Sequence, residues 1–196
     1  MKQGIGNRDS VCRNIGEESE GALLLFCSRK RRYAGMIVVA TPSRRVSRLV
    51  LERFLAQARR AVGLRGAVDV LLADDAELKR LNTAFRGKKK PTDVLSFPAD
   101  DPSGKLAGDI AISLEIAGRQ AAEFGHALQS EVKILLLHGL LHLNGMDHET
   151  DEGEMAAREM ALRTRLKLPV GLIARAAKQV AGAPKKAMRS AEKAKS

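Results

Sequence analysis

Ile134-Leu135-Leu136-Leu137-His138-Gly139-Leu140-Leu141-His142-Leu143-Asn144-Gly145-Met146-Asp147-His148 is apolar almost all round until it turns polar at a glycine. A helix without a polar face belongs inside a domain, so the run predicts a central helix over 127–143 around which the other elements pack. Three of the chain's four histidines fall within its last eleven residues. Imidazoles at i and i+4 project from one helix face, one turn apart, which is the separation a tetrahedral zinc ion needs from two of its ligands. Gly145 then ends the helix, because glycine accepts the left-handed conformation that other residues resist, and the chain doubles back to bring His148 under the first two. Three neutral imidazoles leave one coordination position open, the mark of a catalytic rather than a structural zinc site. A single histidine on an apolar face is ordinarily a hydrogen-bonded core residue. It is the company that argues for metal, and His126, which has none, reads as a surface or loop residue.

The long zinc-protease motif, His-Glu-x-x-His-x-x-Gly-x-x-His, has the same histidine and glycine spacing, and its glutamate is the base that activates water. Here that position is Gly139. A similar cage without the protease's proton acceptor argues against peptide hydrolysis.

Upstream, the periodicities are those of short strands and helices. Met36-Ile37-Val38-Val39-Ala40 is a β-branched run, followed after Thr41-Pro42-Ser43 by a helix with Val46, Leu49, Val50, Phe54 and Leu55 on one stripe and arginines on the other. Ala67–Leu72 is a second strand, and Asp74-Asp75-Ala76-Glu77 caps a helix that turns Leu78 and Leu81 inward. Asp93–Pro98 and Leu106–Ile112 form strands three and four, joined as a hairpin by Asp100-Asp101-Pro102-Ser103-Gly104. Helices near 113–123, 127–143, 151–166 and 170–180 complete an α+β domain: a small mixed four-stranded sheet packed with five to six helices, the metal site on the central one. Met155, Met160 and Leu162 read as core residues of the last helices.

With 196 residues, 44% of them hydrophobic, the chain has material for one core. Its net charge of +11 and pI near 10.1 point to a polyanionic partner. Lys and Arg outnumber Asp and Glu by 7 to 4 in residues 1–35, by 22 to 18 in 36–183 and by 5 to 1 in 184–196. The expected organisation is thus an N-terminal extension (1–35), a domain (36–183) and a basic disordered tail (184–196) fit to serve as an electrostatic arm for a phosphate backbone. The extension's apolar run, Ala22–Cys27, is too short for a signal core and follows acidic residues. No stretch is long enough to span a bilayer. Both cysteines, Cys12 and Cys27, lie in the extension, which suits a reducing cytoplasm, and Met36, opening the first strand, is the expected true start of translation.

A second cluster precedes the third strand: Arg86-Gly87-Lys88-Lys89-Lys90-Pro91-Thr92-Asp93-Val94-Leu95-Ser96-Phe97-Pro98. Its charge run suits a solvated loop, or, with Thr92, Asp93 and Ser96 alternating with Val94 and Leu95, one wall of a phosphate-binding cleft whose other wall is the metal helix.

Together these segments, with Leu81-Asn82, Phe85-Arg86, Gly108-Asp109-Ile110 and the histidine motif, resemble the YbeY family of bacterial ribosomal RNA maturation endoribonucleases, in the right order over residues 36 to 168. Met146 departs from the pattern, where an aromatic is common. The resemblance implies a zinc-dependent, single-strand-specific endoribonuclease, one Zn2+ per chain, that acts on ribosomal RNA of the small ribosomal subunit in 3′ end maturation and in ribosome quality control. It implies His138, His142 and His148 as ligands and Arg86 as the catalytic arginine. The chemistry is consistent: zinc lowers the pKa of a bound water toward about 7, and Arg86 offsets charge building on the phosphorane oxygens. Asp109 and Asp147 are the nearest candidates for proton acceptor, each with a structural reading beside it, a turn carboxylate for Asp109 and a ligand-orienting or helix-end residue for Asp147; the RNA 2′-hydroxyl is an alternative nucleophile. With five Phe, one Tyr and no Trp, RNA is held by phosphate contacts more than by stacking. The alternative function is a non-catalytic ribosome assembly factor with a structural zinc, and a metallohydrolase of another substrate comes third.

Overall fold

A computed structural model describes residues 35–41, 43–148 and 151–169. The expectations about the N-terminal extension, its cysteines, the helix near 170–180 and the basic tail lie outside the described residues.

Four strands, β1 (Ile37–Val39), β2 (Ala67–Ala73), β3 (Val94–Pro98) and β4 (Leu106–Ser113), form one sheet in the order β1-β2-β4-β3. The first three in that order are mutually parallel, and β3 pairs antiparallel with β4 as the expected hairpin, Val94 opposite Ile112 and Pro98 opposite Gly108. Five helices are described: α1 (Arg48–Val62), α2 (Asp75–Arg86), α3 (Leu114–Glu123), α4 (Leu128–Leu143) and α5 (Glu154–Arg165).

Side-chain alternation along the strands divides the core in two. Val68, Val70, Leu72, Ile110 and Ile112 face α1, α3, α4 and α5 in the larger cluster. Leu71, Ala73, Leu95, Phe97 and Ala111 face the other way and are covered by α2 through Leu78, Leu81 and Phe85. The sheet thus separates α2 from α4. As the apolar run predicts, α4 is central, with eleven of its sixteen residues buried.

Gly139 is pressed onto the sheet: a Cβ there would meet Ile110 at 3.0 Å and the Ser96 hydroxyl at 3.1 Å. Where α4 ends, Leu143 lies against Gly108, whose φ of +153° and Cβ position 2.4 Å from the Phe97 carbonyl oxygen exclude any side chain. The C-terminus of α4 therefore sits at the end of the sheet where β2 and β4 begin and β3 stops.

Helix α2 begins as expected, the Asp74 carboxylate accepting from the Glu77 N–H at 2.9 Å. The inward stripe of α1 differs from the expectation. Leu51, Phe54, Leu55, Ala58 and Val62 are buried, whereas Leu49 is 55% and Val50 38% exposed. The helix starts at Arg48, and an i, i+3, i+4, i+7, i+11 stripe beginning at Leu51 leaves residues 49 and 50 on the outer side. Met155 and Leu162 are core as expected, but Met160 is 57% exposed, because it lies off the buried side of α5 that carries Met155, Glu159, Leu162 and Arg163.

Candidate metal centre

His138 and His142 project from the last two turns of α4, and their Nε2 atoms are 3.1 Å apart. Asn144 closes the helix, Gly145 takes a φ of +84°, and the chain turns back. His148 then stands with its ring 5.2 Å from each of the other two. One ligand atom from each histidine lies within 4.8 Å of the others. Nitrogens about 2.0–2.1 Å from a tetrahedral ion stand roughly 3.3 Å apart, so the cluster fits a metal after small rotamer adjustments. Burial, with the neighbouring His138 and His148, pulls the His142 pKa down to about 4, so its lone pair is free at neutral pH.

The ring orientation of His138 is set from α5. Its Nδ1 lies 3.0 Å from Glu159 Oε2, both groups buried. A carboxylate accepts there from Nδ1–H, which leaves Nε2 unprotonated and aimed at the other ligands. Buried Arg163 lies 3.7 Å from the second Glu159 oxygen and compensates its charge. Glu159 lies outside the motifs singled out in the sequence. The available signal was a glutamate on a helix stripe otherwise filled by Met155 and Leu162, where a charge needs a partner.

Asp147 is exposed beside His148, its Oδ1 3.9 Å from that ring's Nδ1. Together with Gly145, Met146, Asp151, Glu152 and Glu154 it lines an open hollow of about 370 Å³. Asp109 is elsewhere. It is fully buried, opposite Phe97 in the hairpin register, and alternation along β4 turns it to the α2 side, across the sheet from the histidines. Arg86 is exposed at the C-terminus of α2. The neighbouring Phe85 ring packs on Phe97 at 4.5 Å, so Arg86 lies at the same end of the sheet as the histidines but on the opposite face. Thr92 and Asp93 lie at the far end, where Asp93 accepts from the Val94 N–H and from Gln120 Nε2. The pairing of Val94 with Ile112 puts them there, and of the three polar residues of the expected cleft wall it is Ser96 that bonds to the metal helix, its hydroxyl donating to the Gly139 carbonyl at 3.3 Å. His126 is a loop residue as expected, but its side chain is only 11% exposed and pairs with fully buried Glu131 at 3.0 Å.

The family model for Endoribonuclease YbeY matches residues 38–167. The chain belongs to the YbeY family. It is 51% identical over 154 residues to an endoribonuclease YbeY of Koribacter versatilis, covering 79% of this chain and all of that one. A YbeY relative from Solibacter usitatus is 50% identical over 128 residues, 65% of this chain and 85% of the relative. A Thermotoga maritima protein solved in solution aligns with 79% of this chain and all of its own at 26% identity and a TM-score of 0.48. In this YbeY-family chain the matched residues include the histidines, Glu159 and Arg86, and stop short of both termini. Among the described residues no helix is long and apolar enough to cross a membrane.

Proposed function

We propose that this YbeY-family protein is a zinc-dependent endoribonuclease that cuts single-stranded RNA, with the 3′ end of small-subunit ribosomal RNA as its substrate in ribosome maturation and quality control. The observation that carries the reading is the convergence of His138, His142 and His148 at one end of α4 in a chain of this family. Zinc held by the three imidazoles would supply Lewis acidity and a water of lowered pKa. Glu159 orients His138, and Arg86, at the same end of the sheet, neutralises charge on the transferring phosphate. The protease's base position is crowded: Gly139 abuts the Ile110 and Ser96 side chains, which a glutamate there would have to displace. Of the two candidate carboxylates, Asp147 has the access to receive a proton, beside His148, while Asp109 is sealed on the other side of the sheet.

The test is metal content and cleavage of a single-stranded RNA by one preparation, before and after chelation, with Arg86→Glu as control. The expected result is about one zinc per chain, activity lost on chelation and restored by zinc, and an Arg86→Glu protein that keeps its metal and fold but cleaves at least about a hundredfold more slowly, the scale of removing one transition-state donor. Zinc bound with cleavage unchanged in Arg86→Glu would refute the catalytic role and favour a structural metal in an assembly factor.

A further inference from the structure

The domain's basic excess is not evenly spread. Residues 44–65 hold seven arginines against Glu52 alone, which leaves fifteen basic and seventeen acidic residues over the rest of 36–183. Helix α1 runs alongside α4 in the same direction: the Ser47 N–H donates to Gln129 at 2.6 Å, and Lys133 stands 5.6 Å over the Phe54 ring. Its C-terminus, with exposed Arg60, consequently lies at the end of the sheet where α4 presents its histidines. Gly66, at φ +81°, packs so tightly on the hairpin that a Cβ would meet the Ala107 nitrogen at 2.8 Å, and the Ala67 N–H donates to the Lys105 carbonyl at 2.7 Å. Arg65 and Lys105 are thereby held on adjoining turns.

Not all of this charge is available. The Arg59 guanidinium donates to the Gly66 carbonyl at 2.6 Å and Arg48 is paired with Glu52 at 2.7 Å. Arg60 and Arg65 are exposed and make no ion pair among the described residues. On the hairpin turn the Asp101 carboxylate is taken up by the Ser103 N–H and hydroxyl and by the Leu106 N–H. On the α4–α5 turn the acidic hollow repels phosphate, so a strand reaching the histidines is directed away from that turn. In sheet order, the Arg60–Arg65 turn leads into β2, while Arg86 lies over the β3 edge, two strand spacings of about 4.8 Å away, and α4 packs between them on β3 and β4.

We infer that Arg60, Arg65 and Lys105 form a docking rim for the phosphate backbone of single-stranded RNA, so that one strand is gripped at this rim and at the Arg86 loop with the histidine cluster between. The inference rests on the proposed function and adds the path of the substrate. The rim acts on binding of RNA long enough to reach it, and leaves the metal and the chemical step alone.

The test compares two variants of equal charge loss at opposite ends of the α1 region, residues 44–65, in the full-length, metal-loaded protein. Arg60→Gln/Arg65→Gln removes rim charges; Arg44→Gln/Arg45→Gln removes the same charge from the far end of the helix. Binding of a fluorescent single-stranded RNA is titrated over a range of salt, for a long oligonucleotide and for one of a few nucleotides, and zinc content is measured. The rim variant is expected to bind the long RNA about tenfold more weakly, to lose about 1.4 from the slope of log K against log salt, as for two phosphate contacts of about 0.7 each, and to raise KM with unchanged kcat and zinc. The far-end variant and the short RNA are expected to change little. Equal weakening by both variants, or none by either, would overturn the rim and leave the nuclease reading intact. A wild-type protein that neither binds nor cleaves the RNA would overturn both.

Discussion

At the scale of single residues, the centre depends on which nitrogen of His138 is bare. Glu159 decides that through one buried hydrogen bond of 3.0 Å. Glu159→Gln keeps the size but removes the charge and weakens the acceptor, and is expected to lower zinc affinity by about 10–100-fold, measured by competition with a chromophoric chelator, while the far-ultraviolet dichroism stays native. Unchanged affinity would mean that Glu159 is only a core residue. The histidines also give the protein a pH response. In the unfolded chain His142 takes a proton near pH 6.5, but in the folded chain not until about 4. Between these values the unfolded state binds more protons, so the stability of metal-free protein falls as pH drops through that window. Urea midpoints should be lower at pH 5 than at pH 7, and less so in His142→Ala than in the parent.

At the scale of elements, helix α1 shows where periodicity is legible and where it misleads. Apolar residues at 46, 49, 50, 54 and 55 and at 51, 54, 55, 58 and 62 both satisfy helical spacing in part; the sheet selects the second, because only it continues to Val62. Leu51→Ala should cost about 2–5 kcal/mol, and Leu49→Ala, at an exposed site, should stay within roughly 0.5 kcal/mol. Chemical denaturation of both separates the two stripes; reversed costs would restore the sequence expectation. The strands, the β3–β4 hairpin and α4 were readable because their signals are local: β-branched runs, a turn rich in Asp, Pro and Gly, and an apolar helix closed by Gly145.

At the scale of the whole molecule, the histidines join α4 to the turn leading to α5, and Glu159 joins α5 back to α4. A metal bound there would fasten the end of α4 to the turn, with α5 tied in through Glu159, and it would stabilise the folded state by mass action, about 4 kcal/mol at a thousandfold excess over its dissociation constant. Chelation is therefore expected to lower the Tm by several degrees, with re-addition of zinc restoring it; a scanning calorimetry trace indifferent to chelator would argue against a metal at this site.

The α+β class, the described elements and their order, and the three histidines are all legible in the residues alone, since hydrophobic period, turn chemistry and i, i+4 spacing act over a few residues. Partners that lie far apart along the chain are fixed by packing. Packing set Glu159 behind His138, crowded the Gly139 position against Ile110 and Ser96, turned Asp109 to the face away from the metal helix, and left Thr92 and Asp93 at the far end of the sheet. Strand order, register and the face taken by each side chain are products of packing between elements, and a shift of one residue in a strand would have reversed every such assignment.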